Sequence, residues 1–287
     1  FSFFCISLYI LTFGLAFLET TANPYILSLG SKETSTRRLN FAQSFNPMGS
    51  LCGMAVASLV VLPNLVSDRR NAAGEIIFNG LSEAEKADIR LHDLAVIRDP
   101  YVAIGLVVLA ILVLISIVKM PDTICSAKKM NCKETMRNLW GNVVYREGVV
   151  AQVMYVAAQI MVWTFIIHYA DNLGINKATA QNYNIIAMVM FLCARFISTC
   201  LMRYIGSRQL LTIFAVGASL CTVGTICFVG MAGLYCLIAI SFFMSLMFPS
   251  IYGIALENVS QEDSTIGAAF LVMAIVGGAL MPPLQGM

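Results

Sequence analysis

The sequence predicts an all-α fold, a polytopic membrane helical bundle, and three observations predict it. Of its 287 residues 59% are hydrophobic and only 12% are charged, whereas a water-soluble domain carries about 25% charged residues. Mean hydropathy is +0.80. Eight separate apolar runs reach spanning length, and they are continuously apolar rather than alternating. Each can therefore satisfy its backbone within one helix, as lipid demands, and a barrel is disfavoured. The net charge of +2 offers nothing to nucleic acid.

A bilayer core of about 30 Å needs roughly 20 helical residues. Runs of that size lie near 2–29, 39–63, 100–119, 148–170, 181–202, 209–229, 233–255 and 265–286. The first contains "FLETTANPYI", in which Glu19 is the one charge between residues 1 and 29. An acidic side chain at a span centre costs about 2.5–3.5 kcal/mol on insertion scales. Protonation is the cheapest remedy, and a group that is neutral when dry and charged when water arrives is a proton carrier. The competing reading is a carboxyl at the inner interface, or one neutralised by a structural hydrogen bond. Asn23 and Pro24, one turn beyond Glu19, are expected to break this helix. The run has neither a basic leader nor an A-x-A cleavage site, so it is no signal peptide.

In the second run, "LNFAQSFNPMG" sets Gln43 and Asn46 three apart, which puts both amides on one helix face. Pro47 invites a kink directly after them. Neutral amides suit sugar hydroxyls, because each both donates and accepts; tying helices together is their rival use. Residues 66–99 form an outer loop with a soluble patch, "LSEAEKADIRLHDL", where Ser82 and Glu85 fit a capping box. A solvated lid or spacer is expected there, followed by the third run.

Residues 120–147 are basic and include an amphipathic stretch around 130–144, suited to lie along headgroups. Three runs precede this connection and five follow. The fourth run places Gln159 and Trp163 at i and i+4, an amide beside a flat apolar ring. A pyranose offers a matching hydroxyl edge and C–H face, although ordinary packing explains Trp163 equally well. His168 reads as an interfacial or hydrogen-bonded residue rather than a proton relay. Arg195, inside the fifth run, reads as a snorkelling side chain or a conformational latch, with Arg203 and Arg208 near the same inner end. Pro249 interrupts the seventh run, and Gly277, Gly278, Pro282 and Pro283 loosen the eighth. Laying Pro24 over Pro249 also brings Gly49 opposite Gly277, a weak internal repeat of the kind transporters show.

Eight crossings put both termini on one side. The loops at 30–38, 120–147, 203–208 and 256–264, with Lys119, hold eleven Lys and Arg, and the opposite loops hold six. The positive-inside rule makes the first set cytoplasmic. A chain that opens with Phe inside a span and stops beside another is expected to be a fragment. Nine cysteines without C-x-x-C spacing, and two distant histidines, suggest no disulfide framework, metal or cofactor. The sequence holds no H-E-x-x-H, no G-x-S-x-G and no second acid within a span, so an enzyme is not expected.

"FLETTANPYILSLG" followed by "RLNFAQSFNPMG", with "AQVMYVAAQIMVWTFIIHYA" and "GAAFLVMAIVGGALMPP", resembles the fucose-galactose-glucose:proton symporter family of the major facilitator superfamily, across nearly the whole chain. The resemblance implies twelve transmembrane helices in two six-helix bundles, of which eight, the fourth to the eleventh, would be present. Residues 1–119 would then belong to the N-terminal bundle, 120–147 to a cytoplasmic linker and 148–287 to the C-terminal bundle. It further implies proton-coupled symport of a monosaccharide by alternating access, in a bacterial inner membrane, by a monomer surrounded by lipid. Glu19 would serve protonation and sugar binding, Gln43 and Asn46 would face the central cavity, and a further acid would lie before Phe1. Met247 and Phe248 stand where the resemblance leads one to expect Gln-Tyr, which leaves glucose or galactose open beside L-fucose. A sugar uniporter and a non-transporting sugar sensor are the alternatives on the same scaffold.

Overall fold

The computed structural model describes residues 2–67, 77–119, 132–175, 177–260 and 262–286. These form helices with no strand among them. Eight are long and apolar enough to cross a membrane. The chain divides into two compact units, Phe1–Met48 with Thr123–Met287, and Gly49–Asp122.

In the larger unit, helix α1 (Ser2–Ser28) precedes α2 (Ser35–Gln43) and the start of α3 (Phe45–Val56). Further along the chain follow α6 (Cys132–Gly141), α7 (Val143–Asn172), α8 (Lys177–Leu201), α9 (Ser207–Cys227), α10 (Met231–Met244), α11 (Met247–Leu256), α12 (Ser264–Met273) and α13 (Val276–Gln285). The smaller unit holds the rest of α3, a π turn at Ala57–Val61, α4 (Leu62–Asn64) and α5 (Glu83–Ile117).

Lipid supplies no hydrophobic force between helices, so close packing and interhelical hydrogen bonds must hold them. One core, including Tyr155, Phe191, Phe214 and Leu234, joins α7 to α10. A second, including Leu39, Leu139, Tyr145, Tyr252 and Leu271, gathers α2, α6, α7, α11 and α12. The hydroxyls of Tyr145 and Tyr155 donate to the carbonyls of Gly267 and Met244, each at 2.8 Å. Glycine makes the nearest approaches possible: a Cβ on Gly277 would run into the Val153 carbonyl oxygen, and one on Gly253 would lie 2.8 Å from Thr36 Oγ1. Gly277 and Gly278, expected to loosen the last span, instead let α13 lie against α7.

Prolines act differently at three expected breaks. The interruption expected at Asn23–Pro24 does not occur, because α1 runs unbroken to Ser28 with Pro24 inside it. A proline withdraws only one ladder bond, and α1 ends within the next turn. Pro47 and Pro249, by contrast, each occupy the third position of a helix, α3 and α11, that restarts just upstream. A helix's first turn needs no intrahelical N–H donor, so the break falls before the proline, at Ser44 and at Ser245–Leu246. The last span breaks at Ala274–Ile275.

In the smaller unit α5 starts at Glu83, seventeen residues before the expected third span, and Pro100 lies inside it. The Ser82–Glu85 capping box is formed: Ser82 N donates to Glu85 Oε2 at 3.0 Å and Glu85 N to Ser82 Oγ at 3.5 Å. With its start capped and no glycine before Gly105, the soluble patch continues into the span. Asp93 accepts from the backbone N–H groups of Val66 and Ser67, both at 3.0 Å.

Within the linker, residues 120–131 lie outside the described residues. The amphipathic stretch expected at 130–144 is α6, Cys132–Gly141, and it stops at Asn142, whose side chain accepts from Tyr145 N at 3.3 Å and caps α7. Leu139 is buried while Met136 and Trp140 are exposed.

Candidate functional site

Glu19 and Asn23 stand four residues apart on α1, one above the other. Glu19 is half-buried, and among the described residues no Lys, Arg or His lies within ion-pair distance of it. Tyr252, fully buried on α11, lies within electrostatic reach of the Glu19 carboxylate, and its hydroxyl is unpartnered among the described residues. Asn23 is buried, and its Oδ1 accepts from Gln43 Nε2 at 2.8 Å. A polar strip, Glu19–Asn23–Gln43, thus runs where α1 meets α2.

Gln43 and Asn46 do not share one uninterrupted helix face, since the helical ladder is broken at Ser44 between them. Gln43 is half-buried and turned to Asn23, whereas Asn46 is exposed. Gln159 and Trp163 are both half-buried on α7. Trp163 meets Phe191 of α8 edge to face, with ring centroids 5.3 Å apart, and its buried Nε1 has no partner among the described residues.

Arg195 joins these pieces. It is 4% exposed, and its guanidinium lies over the Phe191 ring at 4.7 Å. Its Nε donates to the Ser245 carbonyl at 2.6 Å and its Nη1 to the Gln43 carbonyl at 2.9 Å. No carboxylate faces it among the described residues. A contact path therefore runs from Trp163 through Phe191 and Arg195 to Gln43 and Asn23, linking α7, α8, α2 and α1. Sequence reading noticed Arg195 but missed its acceptors, together with Phe191 and Tyr252. The acceptors had a signal: Gln43 and Ser245 each precede a proline by four residues, so each has a carbonyl that the helix ladder cannot use.

This arrangement can hold a neutral polyol. It offers amide donors and acceptors, aromatic surface, and an acid free of any cation among the described residues. A half-buried acid within a span, together with helices interrupted at mid-span, points to a helical membrane transporter rather than a structural bundle. The sequence matches the Major Facilitator Superfamily over residues 1–282. It is 61% identical over 288 residues to the L-fucose-proton symporter of Haemophilus influenzae, covering 100% of this chain and 67% of that protein. It is 26% identical over 283 residues to the glucose/galactose transporter of Brucella abortus, covering 98% of this chain and 63% of that one. The fold superposes on a crystal structure of a major facilitator transporter in the outward conformation with a TM-score of 0.89 and 29% identity, over 99% of this chain and 69% of that chain.

The chain belongs to the major facilitator superfamily, in the group that holds these sugar transporters. It is an integral protein of the bacterial cytoplasmic membrane and not an enzyme. It spans about two thirds of the length of the relatives it matches.

Proposed function

We propose that the carrier moves a monosaccharide into the cell together with a proton, by alternating access, and that Glu19 is the proton-linked site. The observation that carries this reading is the half-buried Glu19, with no cation partner among the described residues, one helical turn from the Asn23–Gln43 amide pair. An acid paired with a cation would be locked in its charged form; this one is free to gain and lose a proton as the site dries and wets. Sugar hydroxyls would engage Glu19, Gln43, Asn46 and Gln159, and the ring face would lie on Trp163. Residues 1–119 would supply helices four to six of the N-terminal bundle and 148–287 helices seven to eleven of the C-terminal bundle, with 120–147 as the cytoplasmic connection, in a monomer. L-Fucose, glucose and galactose are the candidate sugars, since the relatives' names divide between them.

The test is a sugar panel added to lightly buffered vesicles holding the carrier, with external pH followed. The transported sugar should alkalinise the outside. Sugar flux without any pH change would make the protein a uniporter, and binding without flux a sensor; either overturns proton symport.

A further inference from the structure

We infer that Arg195 is the latch of the inner gate, a positioning residue that holds the cytoplasmic side closed by donating to two backbone carbonyls that prolines withhold from the helix ladder. The inference rests on the alternating-access reading, in which α1 and α2 move apart from α7 to α13. Pro47 has no N–H for the Gln43 carbonyl, and Pro249 none for the Ser245 carbonyl. Arg195 supplies both, by Nη1 at 2.9 Å and by Nε at 2.6 Å.

The two bonds differ in what opening does to them. Ser245 belongs with Arg195 to the rear group, so that bond can survive any rocking. Gln43 belongs to the front group. When α2 swings away from α8 and α11, the Nη1 bond must break.

Position supports the role. Cytoplasmic to Arg195, α2 and α11 are sealed together: Asn40 Nδ2 donates to Ser250 Oγ at 3.2 Å, and a Cβ on Gly253 would strike Thr36. On the other side lie the Gln43 amide and Asn23. Arg195 thus sits between the amide pair and the seal. A guanidinium fits this place because it is planar, stays charged, and can stack on Phe191 while forking to two acceptors. With no carboxylate facing it among the described residues, no strong ion pair has to be broken on opening, and water in the opened cavity can replace the lost acceptor. Gln43 has two duties, its amide toward the candidate sugar site and its carbonyl on the latch. Site occupancy can therefore reach the gate through one residue.

The experiment places spin labels at Glu33 and Gln209, exposed positions at the inner ends of the two groups, and reads their distance distribution in the complete carrier without sugar or gradient. Arg195→Met should raise the ratio of inner-open to inner-closed molecules about tenfold, as expected for loss of one charge-assisted hydrogen bond across the gate. Arg195→Lys keeps the charge without the fork and should shift the ratio in the same direction by less. Pro47→Ala leaves Arg195 intact and returns a helical N–H to the Gln43 carbonyl; it too should favour the open form. Ratios within about twofold of wild type for Arg195→Lys and Pro47→Ala, or a fall in thermal stability without a change in distances, would overturn the latch. Symport is judged separately by the pH recording. A shifted ratio in a carrier that moves no protons keeps the latch and removes symport; intact symport with unmoved distances does the reverse.

Discussion

Arg195 and Glu19 are opposite charges placed in spans without each other. The arginine is satisfied by backbone oxygens and an aromatic face, which fixes it as a permanent cation. Glu19 has no such company, and so its charge can change. At this scale the polar strip makes its own prediction. Asn23→Ala deletes the acceptor of Gln43 Nε2 and leaves that amide short of a partner, which should cost about 1–3 kcal/mol. Thermal unfolding in detergent should register it, and an unchanged midpoint would mean that water replaces Asn23. Gly277→Ala should cost about 1–3 kcal/mol by pushing α13 off α7, because the atom it meets belongs to the Val153 backbone and cannot swing aside. A midpoint equal to wild type would show that the helices part without strain.

At the scale of elements, the sequence placed all eight spans, because a continuous apolar run of spanning length has no other cheap solution in lipid. Glu19, Gln43 and Trp163 were legible for the complementary reason: a polar group or platform inside such a run has to be accounted for. What was not legible depended on partners distant in sequence. Nothing within α1 tells whether Pro24 will bend it, and although the Ser82–Glu85 capping box marked a helix start, nothing told that this helix would run on through Pro100 into the third span. Periodicity likewise placed Gln43 and Asn46 on one face, since it counts residues and not the break that Pro47 imposes upstream of itself. The Arg195 acceptors were within reach, had each proline been read by the carbonyl four residues before it.

Helix α6 carries an element-scale prediction. It is tied to the loop before α12 by Asp263, whose Oδ2 accepts from Asn138 Nδ2 at 3.4 Å and from Ser260 Oγ at 2.8 Å. The hydrogen bond from Thr135 leads in holding the Asp263 carboxyl below its ordinary range, against the opposing effect of desolvation and with help from Ser260 and Asn138. A depressed acid stabilises the fold above its unfolded value and ceases to do so as pH falls through its folded value. The tie should therefore be intact at neutral pH and fade below about pH 4. Hydrogen exchange of the 132–141 backbone should rise in that window, and Asp263→Asn should raise it already at neutral pH. Equal exchange at pH 7 in wild type and variant would detach α6 from this loop.

On the scale of the whole molecule, charge distribution along the loops decides the orientation. By the positive-inside rule, eleven Lys and Arg in the loops at 30–38, 120–147, 203–208 and 256–264 with Lys119, against six in the opposite loops, favour the first set as cytoplasmic. In a cysteine-depleted background, an impermeant thiol reagent applied from the periplasm should label Glu83→Cys and spare Lys32→Cys until the membrane is opened. The reverse pattern would invert the carrier. If the label pattern follows the positive-inside rule, the α2–α11 packing through Asn40 and Ser250 lies on the cytoplasmic side of the Glu19 strip, as the proposed symport requires.

Counterflow and accumulation in vesicles, measured side by side for wild type and Glu19→Gln, test the proton role most directly. With an inward proton gradient, wild type should concentrate the sugar, while Glu19→Gln, permanently neutral, should exchange sugar across the membrane yet never accumulate it. Uphill accumulation by Glu19→Gln at the wild-type level would contradict the proposal that this carboxyl couples the two fluxes.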